Sequence, residues 1–410
     1  MVTRPSASKP SGRGSRSPST RPTASAAPTP SGSAADGGPL TLAELSRATL
    51  ARQLLLDRVP LTVEEALPRL GALQAQRPDS PFFALWTRLS SFAADDLQTL
   101  LESYQVVRAT LQRRTLHVVT AADYFDYAVF TEWSGRRDWR DLEAHVDVDA
   151  VIEATLEFSD GEPRLLTDYV TLAEERWPHA LHLLAGGHNY RHLRTHALLL
   201  LTPDCSRFAG RGPVAYVSAR SRLGAEGWPT GEETLPRLVL RYLRAFGPAS
   251  AEDAMSWLRE SRVTKVRAAL ASLGDAVATF TDESGRTLYD VVDGPRPDGE
   301  TPVPVRYLPP FDSLLLAHTA KFRTRVLPEG YRDRIINKGN GMMAPTFLVD
   351  GLVAGSWSVV TKKSEATLIV QPFAKMTRAD RKALLTEGET LVRFAAPDAK
   401  SHQVVVEDPA

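Results

Sequence analysis

Cysteine is nearly missing from this chain. Cys205 stands alone, so no intrachain disulfide can form, and that usage fits a reducing compartment. Long apolar runs are missing as well. The longest, Ala197 to Leu201, is far shorter than the ~20 residues that cross a bilayer, so no membrane span is expected. Neither sign of charge is in excess: 49 basic residues face 49 acidic ones. That balance gives no global attraction to nucleic acid, yet it allows a local basic surface. Residues Met1 to Pro39 lack the apolar middle region of a secretory leader, and a cytoplasmic protein is expected. A Walker loop, a nucleophile elbow and a dinucleotide fingerprint are all absent. Their absence argues against nucleotide hydrolysis, serine-nucleophile hydrolysis and nicotinamide chemistry.

What is present starts with a tail. Residues 1–40 are mostly Ser, Pro, Ala, Thr, Gly and Arg. Such a stretch buries too little surface to offset ordering, so a disordered basic tail is expected. Its five basic residues oppose only Asp36, which suits a loose arm on DNA or a solvated tail with no duty. The remaining length predicts two to four domains.

Beyond the tail, one order of elements recurs. Apolar spacing predicts helices over Thr41 to Arg58 and from Thr62 to Gln76. Thr41 with Glu44 and Thr62 with Glu65 are capping boxes at their starts. Helices over Pro81 to Ser90 and Ala94 to Tyr104 follow. Val106 to Leu111 and Thr115 to Thr120 then read as strands, with Gln112-Arg113-Arg114 as a basic hairpin tip. Further on, helices are predicted over Leu166 to Trp177 and Tyr190 to Leu201. Ser206 to Phe208 and Val214 to Val217 are the candidate hairpin strands after them. Leu235 to Phe246, Ala251 to Leu258 and Thr264 to Leu273 are helical in pattern, and Ala276 to Phe280 and Thr287 to Val292 are strands. Helices followed by a hairpin make a winged helix. The expected fold is therefore α+β, with three tandem winged-helix modules over residues 41–140, 141–230 and 231–300. Residues 301–410 read as a β-rich domain. It contains an Asp350-Gly351 hairpin over Phe347 to Trp357, a strand over Thr367 to Gln371, a helix over Arg378 to Phe394 and a strand over Gln403 to Val406.

Several side chains suggest chemistry. Gln74 and Gln76 lie two apart just before Pro78, which ends a helix. They are either ordinary helix-end residues or two neutral amides presented together, each with an acceptor and a donor. Arg108, Arg113, Arg114, Arg136, Arg137 and Arg140 give the first unit groups suited to phosphates, and Arg207, Arg211, Arg220 and Arg222 do so for the second. His117, in the first hairpin, can contact phosphate or simply pack. His188, His192 and His196 form a stripe at helical spacing, but no His-Glu-x-x-His pattern accompanies it, so no metal and no cofactor are expected. Tyr124, Tyr127, Trp133 and Trp139 are spaced for core packing, with base stacking as the weaker reading.

Together these stretches resemble the bacterial AlkZ/YcaQ-type DNA glycosylases. The likeness is carried by Arg47 to Leu55, Gly71-Ala72-Leu73-Gln74-Ala75-Gln76 and Arg113-Arg114-Thr115-Leu116-His117-Val118-Val119-Thr120. Leu308-Pro309-Pro310-Phe311-Asp312-Ser313-Leu314-Leu315 and Val349 to Trp357 carry the rest. The resemblance implies three winged helices and a β-barrel-like C-terminal domain around a DNA cradle. It implies a catalytic Gln-x-Gln motif at Gln74 and Gln76, the AlkZ-like form and not the form with Asp. The implied activity is excision of bulky alkylated purines, including interstrand crosslinks, in repair or self-resistance. Double-stranded DNA carrying such adducts is the implied partner of a monomer. Arg77, Arg113, Arg114, His117, Arg207 and Arg211 are the expected DNA-binding residues. A winged-helix regulator without catalysis is the alternative.

Overall fold

The computed structural model describes residues 38–184, 198–208, 212–224, 228–337, 339 and 341–409. Both predicted capping boxes form. The hydroxyls of Thr41 and Thr62 accept from the backbone of Glu44 and Glu65, whose carboxylates accept from the threonine amides in return. They open α1 (Leu42–Arg52) and α2 (Val63–Leu70). The second helix stops six residues earlier than its pattern predicts. Gly71 takes φ +82°, a conformation that ends the helix, and the chain then runs extended as β1 (Leu73–Gln74). So Gln74 lies on a strand, not at a helix end. Next come α3 (Ser80–Trp86), α4 (Ala94–Glu102), β2 (Val106–Thr110), β3 (Leu116–Thr120) and α5 (Ala121–Gly135).

The following segment gives α6 (Val148–Phe158), β4 (Arg164–Leu165), α7 (Leu166–Arg176), β5 (Leu199–Leu201) and β6 (Ala215–Ser218). Two expectations are corrected here. Leu199–Leu201 is a strand, because it pairs with both β2 and β6. Ser206 to Phe208 is not a strand, since Pro203 opens a 3-10 turn over Pro203–Ser206. Phe208 instead plugs an aromatic cluster with Phe82, Phe83 and Phe394. The stripe of His188, His192 and His196 lies outside the described residues.

The first two hairpins do not form separate wings. They merge into one six-stranded sheet in the order β1-β3-β2-β5-β6-β4. The two-residue β1 sits at its edge, with Leu73 opposite Val118 and Gln74 opposite His117. The third unit is α8 (Gly231–Phe246), α9 (Ala251–Leu258), α10 (Val263–Ser272) and the hairpin β7 (Val277–Thr281) with β8 (Thr287–Val291). Its helices share a core with α5, where Tyr127, Tyr242, Phe246 and Trp257 are buried together. Tyr124 and Trp139 are buried as well, while Trp133 is exposed.

The C-terminal part holds β9 (Arg306–Leu308), β10 (Thr346–Val349), β11 (Leu352–Lys362), β12 (Glu365–Pro372), α11 (Arg378–Ala395) and β13 (Ser401–Val406). Asp350 and Gly351 make the predicted turn with positive φ. The sheet order is β13-β12-β11-β10-β9, antiparallel except for the β12–β13 pair. Its end strands do not meet, so the described residues form an open sheet and not a closed barrel. Leu384, Leu391 and Val392 of α11 cover one face. No helix among the described residues is long and apolar enough to cross a membrane.

Candidate active site

The site is built from Ala75 outward. Its methyl group is fully buried, its amide donates to Leu116 O at 2.6 Å, and its carbonyl accepts two bonds from Arg108. Gln74 ends β1 on one side of it, and Gln76 lies in the bend on the other. Gln74 is buried and Gln76 is exposed, so the pair runs from the interior to the surface. Arg108, expected among the phosphate contacts, is buried and turned inward. Besides Ala75 it reaches Cys205 O at 2.8 Å.

Arg113 is not an exposed hairpin tip either. At φ +52° its half-buried side chain folds back, and Nη2 donates to Gln74 Oε1 at 2.7 Å. The same nitrogen lies 3.4 Å from His117 Nε2. His117 Nδ1 is 2.9 Å from Thr115 O. Only the neutral ring with its proton on Nδ1 satisfies both contacts. Burial, with Arg113 beside it, pushes the imidazole down to about 3. Burial also lowers the Arg113 guanidinium to about 10, and nearby Arg323 adds to that, which still leaves it cationic at neutral pH. Arg114 is buried and donates to Gly135 O at 2.9 Å, closing the end of α5.

The other expected contacts lie further out. Arg77, directly after Gln76, is exposed and bridges Asp79 at 2.6 Å. Arg207 is exposed and bridges Asp204 at 2.7 Å. Arg211 lies outside the described residues. Arg136 and Arg220 are held in surface ion pairs with Glu143, Asp149, Glu153 and Asp160. The structure thus gathers Gln74, Gln76, Arg113 and His117, with Arg77 at the rim.

Two participants carry no local sequence cue. Ser313 Oγ donates to Ala72 O at 2.8 Å, two residues before Gln74. Arg323 approaches Arg113 from the C-terminal part. Gln76 and Arg77 also edge a cleft of about 550 Å³ that reaches Leu116, Tyr216, Val214 and Met342. Among the described residues, no group of three or more His, Cys, Asp or Glu side chains is placed to hold a metal ion.

An amide at the end of an edge strand and a second just beyond it, backed by a half-buried arginine and a neutral histidine, are the setting in which the comparisons fall. The sequence profile of the family described as DNA glycosylase AlkZ-like matches residues 67–394, a span that takes in both amides and their partners. The class is DNA glycosylase, a hydrolase of N-glycosyl bonds, and the chain belongs to the AlkZ-like family within it. It is similar to the interstrand DNA cross-link repair glycosylase of Streptomyces sahachiroi, with 23% identity over 361 residues, 84% of this chain and 94% of that protein. The fold is that of the solved Streptomyces sahachiroi DNA glycosylase AlkZ, with a TM-score of 0.74 at 21% identity, over 90% of this chain and 100% of that one.

Proposed function

We propose that this protein hydrolyses the N-glycosidic bond of bulky, cationic N7- or N3-alkylated purines in duplex DNA. Interstrand crosslinks are included, and the role is repair or self-resistance to a genotoxic natural product. The observation that carries this reading is the placement of Gln74 at the end of an edge strand and of Gln76 in the exposed bend just after it, inside the family-matched span. Cleaving a nucleoside bond develops oxocarbenium character on the sugar, as in other glycoside hydrolysis. An amide accepts no proton usefully near neutral pH, so it cannot serve as a strong general base. It can position a water and turn carbonyl density toward the sugar cation. That suffices when the base already carries positive charge and departs neutral. A bulky or crosslinked base resists the extrusion used by other base-modifying enzymes, which favours a site at a sheet edge over a closed pocket. Gln74 and Gln76 are the proposed catalytic residues. Arg77 and Arg207 are the proposed phosphate contacts, and the three helix–hairpin units, the first two joined through one sheet, are read as winged helices astride the duplex.

The test is release of free alkylguanine from adducted duplex by the Gln74→Ala/Gln76→Ala double variant. Excision is expected to disappear while the Kd for duplex DNA stays within a few-fold. Retained excision would refute the assignment.

A further inference from the structure

The cleft beside Gln76 has no part in that chemistry, yet it opens from it. Its volume of about 550 Å³ is that of a small-molecule site. Gln76 and Arg77 stand on its rim, and Leu116 of β3 with Tyr216 of β6 forms the apolar wall. Val214 and Met342 join the lining from segments far apart in sequence, and both are exposed, at 48% and 42%. A single exposed apolar residue is ordinary. Here two of them turn into one cleft that shares its rim with a proposed catalytic amide. No carboxylate is among its described lining residues. The guanidinium at its base, Arg108, is already bonded to Ala75 O and Cys205 O. Such a surface suits an uncharged apolar group better than a sugar or a phosphate.

We propose that this cleft is the subsite for the apolar arm of the adduct, the ring system that the alkylating agent leaves projecting from the purine. With the glycosidic bond at the amides, the arm lies along Leu116 toward Val214 and Met342. The size and apolarity of the arm then select lesions in addition to the charge on the base. This inference rests on the glycosylase reading but is tested apart from it.

The probes are duplexes that cannot be cleaved. They contain 7-deazaguanine or 3-deazaadenine, each with and without a carbon-linked naphthyl arm, so that the arm emerges in the major or the minor groove. For the wild-type protein, at least one arm-bearing duplex is expected to bind about tenfold tighter than its arm-free counterpart, as burial of an aromatic ring allows. Val214→Trp and Met342→Trp, which fill the cleft from different segments, are each expected to bring that ratio close to one. Equal affinity for armed and arm-free duplexes in both grooves overturns the proposal. So does a preference that both variants retain. Loss of alkylguanine release in the glycosylase assay, with the arm preference intact, would count against the catalytic reading and not against the subsite.

Discussion

Gln74 and Gln76 are chemically alike but sit in unlike surroundings. The carbonyl oxygen of Gln74 accepts a charged donor at 2.7 Å, a strong class of hydrogen bond. That of Gln76 has, among the described residues, a single contact, Leu116 N at 3.5 Å, at the edge of hydrogen-bonding distance. The bond from Arg113 draws electron density from Gln74, fixes its amide and directs its NH2 group away from the arginine. In the proposed mechanism, Gln76 keeps its carbonyl for water or the sugar. Arg113 is therefore a positioning residue in this reading. Arg113→Ala is expected to slow single-turnover excision about tenfold, the size of one lost charge-assisted bond. The slope of log Kobs against log salt for DNA binding should not change, because a phosphate contact, which would lower it by about one, is not what is lost. A change in the slope with excision unaltered would return Arg113 to the phosphate contacts. His117 contributes as a neutral acceptor. Its depressed ionisation keeps a second positive charge away from Arg113 across the neutral range.

At the scale of elements, the junction between α2 and β1 sets where the amides point. Gly71 adopts φ +82°, and a Cβ there would lie 3.3 Å from the Phe246 ring. Gly71→Ala is expected to destabilise the fold by about 1–3 kcal/mol, read as a lower urea midpoint at unchanged slope. The same junction shows what the sequence could and could not tell. Capping boxes, the Asp350-Gly351 turn and the helices of the third unit were legible because neighbours within four residues determine them. β1 was not. It is two residues long, and its extended form depends on β3, more than forty residues away. The second hairpin failed for a related reason. An apolar Leu199-Leu200-Leu201 run fits a buried helix or a buried strand equally well, and only its pairing with β2 decides. The amide pair was visible as a motif. The inward turn of Arg108, Arg113 and Arg114 was not, because arginines in a hairpin read as exposed until their carbonyl and amide partners are known.

At the scale of the whole molecule, the C-terminal part completes the N-terminal one. Arg88 and Asp312 are both fully buried and joined by two bonds, at 2.8 and 2.9 Å. Arg47 reaches Asp350 across the β10–β11 turn, and Leu50 and Leu55 pack with Phe311, Leu348 and Val353. Removing one member of a buried pair leaves the other charge without compensation. Asp312→Ala is thus expected to lower stability by about 3–5 kcal/mol, measured by chemical denaturation. Excision should fall with it under conditions where the fold persists, since Ser313 beside it braces Ala72. A loss below 1 kcal/mol would show the pair to be dispensable.

The Ser313–Ala72 bond also dictates a schedule. Its two ends are 241 residues apart, an interval the ribosome covers in about 10–50 s. Throughout that interval the segment bearing both glutamines is already made but lacks this brace. A nascent or truncated chain that ends before Ser313 therefore holds the motif through β3 and Arg108 alone, and gains the C-terminal brace only afterwards.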